Sequence, residues 1–330
     1  MVRYGIVGFG LHAVRRLMPA FQKSEQSVAV ALSRRDQTKA RENAEHYGIP
    51  NVFATTEELC RCPDVDAVFV TTPNSLHLSD VLTSARHGKH ILCEKPMAMN
   101  IEQAEQMIAA ADSAGVQLGI AQCFRFAESV NRFRERVLRG DLGTVVAARC
   151  DFSFLGTESS RAWLRNAAIS GGGPINDIGV HCIDALRYIL GDDPIRVSAL
   201  AEQDENFSEV EASAAISLLF PKGALGTVTV SYRSPYRTLL EVVGTEGVLT
   251  ARNGLTINHP VTIDFIPNEG AAENEVVDNA RAYVLQVDAF SAAVEGRQQF
   301  PVPGQEGAIN QRILDAAYRS AKSGHAEDLA

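Results

Sequence analysis

The feature that most constrains this chain lies at its start, where the apolar run 2–7 meets Gly8-Phe9-Gly10-Leu11-His12-Ala13 and a helical pattern follows at once. A strand that turns this tightly into a helix needs a residue without Cβ at the turn, which Gly8 supplies. Gly10 lets a ligand approach the backbone, and small Ala13 lets the helix pack on the strand. The helix start also offers amides and the positive end of a dipole, which together suit a pyrophosphate. Alone, the same pattern also serves as a plain structural turn in an α/β fold.

The next hundred residues supply a context for that turn. Short β-branched runs over 28–33, 67–70, 90–93 and 116–121 alternate with helical stretches, the pattern of a parallel sheet wound with helices on both faces. These runs are too apolar to have a wet face, as expected of strands covered on both sides. Asn100 followed by Gln103 resembles a capping box, and Gly115 sits where a helix C′ glycine belongs, so a helix is expected over 101–114.

The end of the second strand is the place where a carboxylate would bind a free ribose 2′-hydroxyl, about twenty residues past the glycine turn. This chain has Ser33-Arg34-Arg35 there. A hydroxyl and two guanidiniums suit a 2′-phosphate, because arginine makes charge-assisted, often bidentate bonds to phosphate oxygens. NADP is therefore expected, with NAD as the alternative. Two readings stay open beside it: Arg34 and Arg35 merely begin a solvated helix, or Asp36 turns inward.

After residue 125 the texture changes to one amphipathic helix over 129–139, a loop-rich stretch, a glycine cluster at Gly171-Gly172-Gly173, and then strands without intervening helices. Ala214, Ile216, Leu218 and Phe220 alternate with Ser213, Ala215, Ser217 and Leu219, which fits a largely antiparallel sheet with one covered face. Pro221-Lys222-Gly223 and Gly244-Thr245-Glu246-Gly247 supply turn chemistry. A long helix ends near Ser323, and a polar, frayed tail is expected after it. The expected class is α/β: a doubly wound parallel sheet of the Rossmann type over 1–122, then an α+β domain over 123–330 with a large, mainly antiparallel open sheet.

Composition narrows the function. Forty acidic residues against 31 basic ones give a formal charge of -9, which argues against nucleic acid as the main partner. The longest apolar runs fall far short of the roughly 20 residues that cross a bilayer. The first strand begins at once, leaving no room for a secretory leader, so a cytoplasmic location is the default. Six cysteines without a Cys-x-x-Cys fit neither a disulfide framework nor a zinc ribbon and read as reduced, mostly buried thiols.

Two stretches carry candidate chemistry. Lys95, in Glu94-Lys95-Pro96, follows the strand expected over 90–93, at the end where ligands bind in open α/β sheets. Asp177, His181 and Asp184 are spaced four and three apart, so in a helix they share one face. A carboxylate beside an imidazole is an acid/base arrangement in the useful titration range, and the glycines before it permit close approach of a ligand. A metal site is the alternative, although no second histidine or cysteine cluster completes a shell. A buried, satisfied histidine is the plain alternative.

Glu94-Lys95-Pro96 and the segment 171–184, taken with the N-terminal turn, resemble the glucose-fructose oxidoreductase/inositol dehydrogenase/rhizopine catabolism (Gfo/Idh/MocA) family. Thr72-Pro73-Asn74 with His77, Arg125-Phe126, Trp163, Gly244-Thr245-Glu246-Gly247 and Tyr283 extend the resemblance over nearly the whole chain. It implies a catalytic trio in which His181 accepts the substrate hydroxyl proton, Asp177 supports it, and Lys95 polarises the reacting oxygen. It also implies that the segment from Thr71 through Thr72, Pro73 and Asn74 to His77 runs beside the cofactor. Glu94 would face the cofactor, Gln122 and Tyr283 would lie near the nicotinamide, and Trp163 near the NADP end. No metal is implied. The run Gln122-Cys123-Phe124 departs from the more polar one expected there and leaves the substrate open.

The leading expectation is an NAD(P)-dependent dehydrogenase or reductase acting on a sugar, polyol or related carbohydrate. A cofactor-binding regulator without turnover and a cofactor-recycling glycosidase are the alternatives. Presence of Lys95, Asp177 and His181 together argues against the regulator. A homodimer or homotetramer through the large sheet resembles family practice.

Overall fold

Residues Val2–Val7 form β1, flanked by strands that run the same way. With β2 (Ser27–Ser33), β3 (Asn51–Phe53), β4 (Ala67–Val70), β5 (His90–Cys93) and β6 (Leu118–Ile120) it makes a six-stranded sheet in the order β3-β2-β1-β4-β5-β6. Every adjacent pair is parallel. All four side chains of β4 are buried, as they must be with helices over both faces. The strand order reverses between β1 and β4, so the crossovers leave on opposite sides and a crevice opens at the carboxyl ends.

The helices of this part are α1 (Met18–Phe21), continuous with a π-helical turn Ala13–Leu17, then α2 (Gln37–Tyr47), α3 (Thr56–Cys60), α4 (Asn74–Arg86) and α5 (Ile101–Ala114). The side chain of Asn100 accepts the Gln103 amide, and Gly115, at φ 66°, ends α5 as its sequence predicts. β6 is shorter than its apolar run, because the Val116 amide returns to the Ala111 carbonyl and belongs to the helix stop. The three half-buried residues of β3 carry no periodic signal and were not expected as a strand.

The second part begins with α6 (Glu128–Arg139), continues through α7 (Ala167–Ser170) and α8 (Val180–Leu190), and is built on a nine-stranded sheet. Its strands are β7 (Val145–Leu155), β8 (Arg196–Glu202), β9 (Ser213–Leu219), β10 (Leu225–Ser231), β11 (Arg233–Gly244), β12 (Gly247–Arg252), β13 (Val261–Pro267), β14 (Glu273–Val277) and β15 (Glu327–Asp328). The order is β14-β13-β12-β11-β7-β10-β9-β8-β15, and β7 with β10 is its one parallel pair among the described residues. Ala214, Ile216 and Leu218 are buried while Ala215 and Ser217 are exposed, the expected one-sided burial. The tail departs from expectation: Glu327 and Asp328 pair with Val197 and Arg196, and Arg196 binds Asp328 at 2.6 Å. An edge strand with open N–H and C=O groups accepts even a two-residue partner.

The structure, a computed structural model, describes residues 1–207 and 209–329. Its compact units are Met1–Gln122 with Tyr283–Gln311, and Cys123–Ala282 with the chain from Arg312 onward. A single boundary after residue 122 therefore misplaces 283–311. The reason lies in α9 (Ala282–Val294) and the start of α10 (Gly304–Ser323). Ser291 of α9 bonds the Tyr4 hydroxyl at 2.9 Å, and a Cβ on Gly119 would lie 2.6 Å from Phe300. Among the described residues no helix is long and apolar enough to cross a membrane.

In the second unit Arg125 grips Asp184 with Nη2–Oδ1 at 2.7 Å and Nε–Oδ2 at 2.9 Å, and the two side chains are only 6% and 2% exposed. Removing one partner of such a pair strands a charge in low dielectric and costs about 3–5 kcal/mol. Asp184→Asn is expected to lose stability of that size in urea unfolding. A loss below about 1 kcal/mol would show that the pair is compensated elsewhere.

Candidate active site

The loops after β1, β2, β4, β5 and β6 leave the carboxyl edge of the first sheet. Gly8, at φ 80°, is pressed against the loop after β4: a Cβ there would lie 2.5 Å from Thr72 Cγ2. At Gly10 the nearest atom to a Cβ is Gly8 O at 3.6 Å, so that glycine fronts open space. The Gly8 and Phe9 amides donate to Ser33 O at 3.1 and 2.8 Å, tying the turn to the end of β2. Phe9 is buried, its ring centroid 6.0 Å from that of Tyr47, whereas Leu11 is exposed at the helix start. These features fit a dinucleotide pyrophosphate: an open glycine, free approach and helix amides.

Arg34 is half-buried and Arg35 exposed beyond β2. Asp36 caps α2, its carboxylate accepting the Lys39 amide at 3.1 Å, and that bond holds its pKa below the ordinary carboxylate range. It is thus spent on the helix rather than turned inward. Thr71 donates from Oγ1 to Val7 O and Gly8 O, each at 3.0 Å. Thr72 donates to Asp80, which also accepts Thr56 at 2.6 Å; burial pushes the Asp80 carboxyl up. Pro73 leads into α4, where Asn74 and His77 are buried. His77 is enclosed between Thr72 O at 2.9 Å and Pro96 O at 3.0 Å.

At the end of β5 the Glu94 carboxylate bonds His12 Nε2 at 2.8 Å and accepts the Lys95 amide at 3.3 Å. Burial pushes Glu94 up, but the charge and bond of His12 and the nearby Lys95 ammonium outweigh it and hold the pKa below the ordinary range. The Tyr283 ring stands edge-on to His12 at 5.9 Å. Gln122, past β6, is buried, and its Nε2 meets no hydrogen-bond partner among the described residues. A polar ligand there would meet a ready donor.

In the second unit the glycine-rich segment enters a π-helical turn, Ile175–Gly179, and then α8. Asp177 is buried; Tyr232 donates to its Oδ2 at 3.1 Å, and Arg161 approaches both oxygens at 3.4 and 3.3 Å. Burial first, and then the Asp177 charge, push the Tyr232 phenol well above its ordinary pKa, so it stays a donor. His181 lies edge-on to Phe124 at 4.9 Å and stacked on Phe152 at 6.3 Å. Asp184 was expected on the same face, but its carboxylate is taken by Arg125. Trp163 is half-buried in the turn Ala162–Arg165.

The glycines before Asp177 serve a different purpose from the expected one. A Cβ on Gly172 would collide with the Tyr318 hydroxyl, and one on Gly173 with Glu211 O. Glu211 accepts the Gly173 amide at 3.0 Å, the Ile175 amide at 2.9 Å and the Tyr318 hydroxyl at 2.9 Å. Here the chain makes room for its own buried carboxylate. Arg161, Tyr232, Glu211, Tyr318 and Asp80 carry no local motif; the one available signal is the alternation of β10, which, continued one residue past Ser231, turns Tyr232 inward. Among the described residues no three His, Cys, Asp or Glu side chains gather to hold a metal.

A reversed strand order with a glycine turn leading into a helix at the carboxyl edge defines a dinucleotide-binding α/β fold. Residues 2–122 match the model of the oxidoreductase family with an NAD-binding Rossmann fold, and residues 130–250 match the GFO/IDH/MocA C-terminal domain. The chain belongs to the Gfo/Idh/MocA family of NAD(P)-binding oxidoreductases. It is 32% identical to the 1,5-anhydro-D-fructose reductase of Ensifer adhaerens over 100% of this chain and 99% of that one. It is 31% identical to the D-xylose 1-dehydrogenase (NADP(+)) 2 of Haloferax volcanii over 99% of each. The crystal structure of the aldose-aldose oxidoreductase of Caulobacter crescentus, complexed with glycerol, aligns with a TM-score of 0.90 and 32% identity over 99% of each chain.

Gly172→Ala is expected to cost about 1–3 kcal/mol by overpacking against Tyr318. Combined with Tyr318→Phe it should cost less than the sum of the single losses, since the phenol oxygen is the first atom struck. Thermal unfolding of the three variants reads this; strict additivity would separate the glycine from Tyr318.

Proposed function

We propose that this chain is an NADP-preferring dehydrogenase or reductase that moves a hydride to or from a carbinol of a sugar or polyol. The observation that carries the reading is the row of Gly8, Ser33, Thr71 and Glu94-Lys95 at the carboxyl ends of four strands around the point where their order reverses. The names of the reductase from Ensifer adhaerens and the xylose dehydrogenase from Haloferax volcanii support a sugar substrate, and the latter supports NADP.

The nicotinamide cofactor, when bound, supplies or takes up the hydride. Gly8, Phe9, Gly10, Leu11 and His12 would receive its pyrophosphate, and Ser33, Arg34 and Arg35 its 2′-phosphate. Thr71, Thr72, Pro73 and Asn74 would line its path, with Gln122, Tyr283 and Trp163 as further contacts. Lys95 donates to the reacting oxygen and stabilises the negative charge that grows there as the hydroxyl proton departs. His181 takes that proton on its imidazole in the oxidative direction and returns it in the reductive one. Asp177 sets the field beside it.

Cofactor choice is tested by titrating NADP and NAD into wild type and Arg34→Ala. Losing a charged hydrogen bond to phosphate costs about 1.5–3 kcal/mol, so the variant should bind NADP roughly tenfold to hundredfold more weakly and NAD unchanged. Equal wild-type affinity for both would remove the preference.

The catalytic roles are tested by steady-state kinetics, after a screen of aldoses and polyols that follows absorbance of the reduced nicotinamide. Lys95→Ala and His181→Ala should keep cofactor binding and lose about 10²–10⁴-fold in turnover, with Asp177→Asn intermediate and the losses non-additive. Near-wild-type turnover in His181→Ala would remove it as the base.

A further inference from the structure

The His77 ring is fully buried on α4, and both of its nitrogens face backbone carbonyls. Nε2 lies 2.9 Å from Thr72 O; Nδ1 lies 3.0 Å from Pro96 O and 3.3 Å from Met97 O. Thr72 sits beside the Gly8 turn, and Pro96 directly follows Lys95. One side chain thus spans the loop that lines the cofactor path and the loop that carries the lysine.

The proton count is not symmetric. A neutral imidazole has one N–H, so one nitrogen must turn a lone pair toward a carbonyl oxygen. A proton on Nε2 would leave the Nδ1 lone pair against two carbonyls; a proton on Nδ1 leaves the Nε2 lone pair against one. The Thr72 loop has a second tie, since its hydroxyl donates to Asp80 at 2.7 Å. Burial holds the imidazole below its ordinary pKa against the opposing pull of the Thr72 and Pro96 carbonyls, Asp80 and Glu94, which favours the neutral ring near neutral pH.

We propose that His77 is a positioning residue for Lys95: its Nδ1–H donates to the Pro96 carbonyl and fixes the lysine loop against the cofactor loop. This rests on the reading of Lys95 as the group at the reacting oxygen. The side chain would then act on turnover through the backbone, without touching cofactor or substrate.

Asparagine and glutamine separate the two ends of the ring, because an asparagine amide falls near the place of Nδ1 and a glutamine amide near that of Nε2. His77→Ala should lower kcat about tenfold, the loss of one buried hydrogen bond to the loop. His77→Asn should recover most of that loss and His77→Gln should not, while KM for the cofactor moves little across the three. Equal kcat for Asn and Gln, or recovery by Gln alone, would overturn the proposal. The second measurement needs no substrate: nitrogen-15 NMR of histidine-labelled wild type, with the signal assigned by its loss in His77→Asn, should show the Nδ1–H tautomer near neutral pH. An Nε2–H ring would overturn it. If the wild type turns over no sugar, the enzyme reading fails while the tautomer still decides the proposal about the ring.

Discussion

The close approach of the Gly8 backbone to Thr72 governs the first unit. No side chain fits between them, so the end of β1 and the end of β4 are held as neighbours across the point where strand order reverses. Thr71 reinforces that approach with two bonds to the carbonyls of Val7 and Gly8, and Ser33 draws the same turn toward β2. Gly10 has the opposite duty: its missing Cβ leaves space rather than filling it. Two glycines two residues apart thus differ, one closing a packed contact and the other leaving space, which explains why a pattern of glycines alone cannot separate a structural turn from a nucleotide turn.

Buried carboxylates organise the second unit. A carboxylate taken out of water is costly unless its oxygens are paired and bonded. Glu211 meets two amides and a phenol, Asp177 a phenol and a guanidinium, and Asp184 a bidentate guanidinium. Each lies near the start or along the length of α8, so the helix that carries His181 is fixed at several points by polar contacts with defined geometry. An apolar core would tolerate small rotations of that helix; hydrogen bonds of fixed direction tolerate fewer.

What the sequence made legible follows from the range of the interactions. Strands 67–70 and 90–93 and the helix over 101–114 were readable to the residue, because burial on both faces and local caps are written in neighbouring residues. The return of 283–311 to the first unit and the pairing of Glu327 with Val197 depend on partners nearly the whole chain or about 130 residues away, and no local pattern encodes them. Lys95, Asp177 and His181 stood out by motif, whereas Arg161 and Tyr232 reach Asp177 from a loop and a strand end with no spacing rule. Asp184 shows the converse failure. Helical spacing placed it with Asp177 and His181, but spacing gives a face and not a partner, and Arg125 claims it.

The partners of Asp177 alter what that residue can do. An isolated carboxylate would lend its whole charge to a protonated imidazole nearby. With Arg161 on both oxygens, part of that charge is already balanced, and the Tyr232 phenol, kept protonated by burial and by Asp177 itself, occupies a lone pair as a donor. Arg161 is 36% exposed, so solvent screens its share, while Tyr232 is buried and unscreened. The enclosed bond to Tyr232 therefore fixes the carboxylate in place, and the more exposed guanidinium tempers its field. In the proposed reaction, a base that takes a proton in one direction and returns it in the other would be served by that balance, since too strong a counter-charge would hold the imidazolium and slow the return.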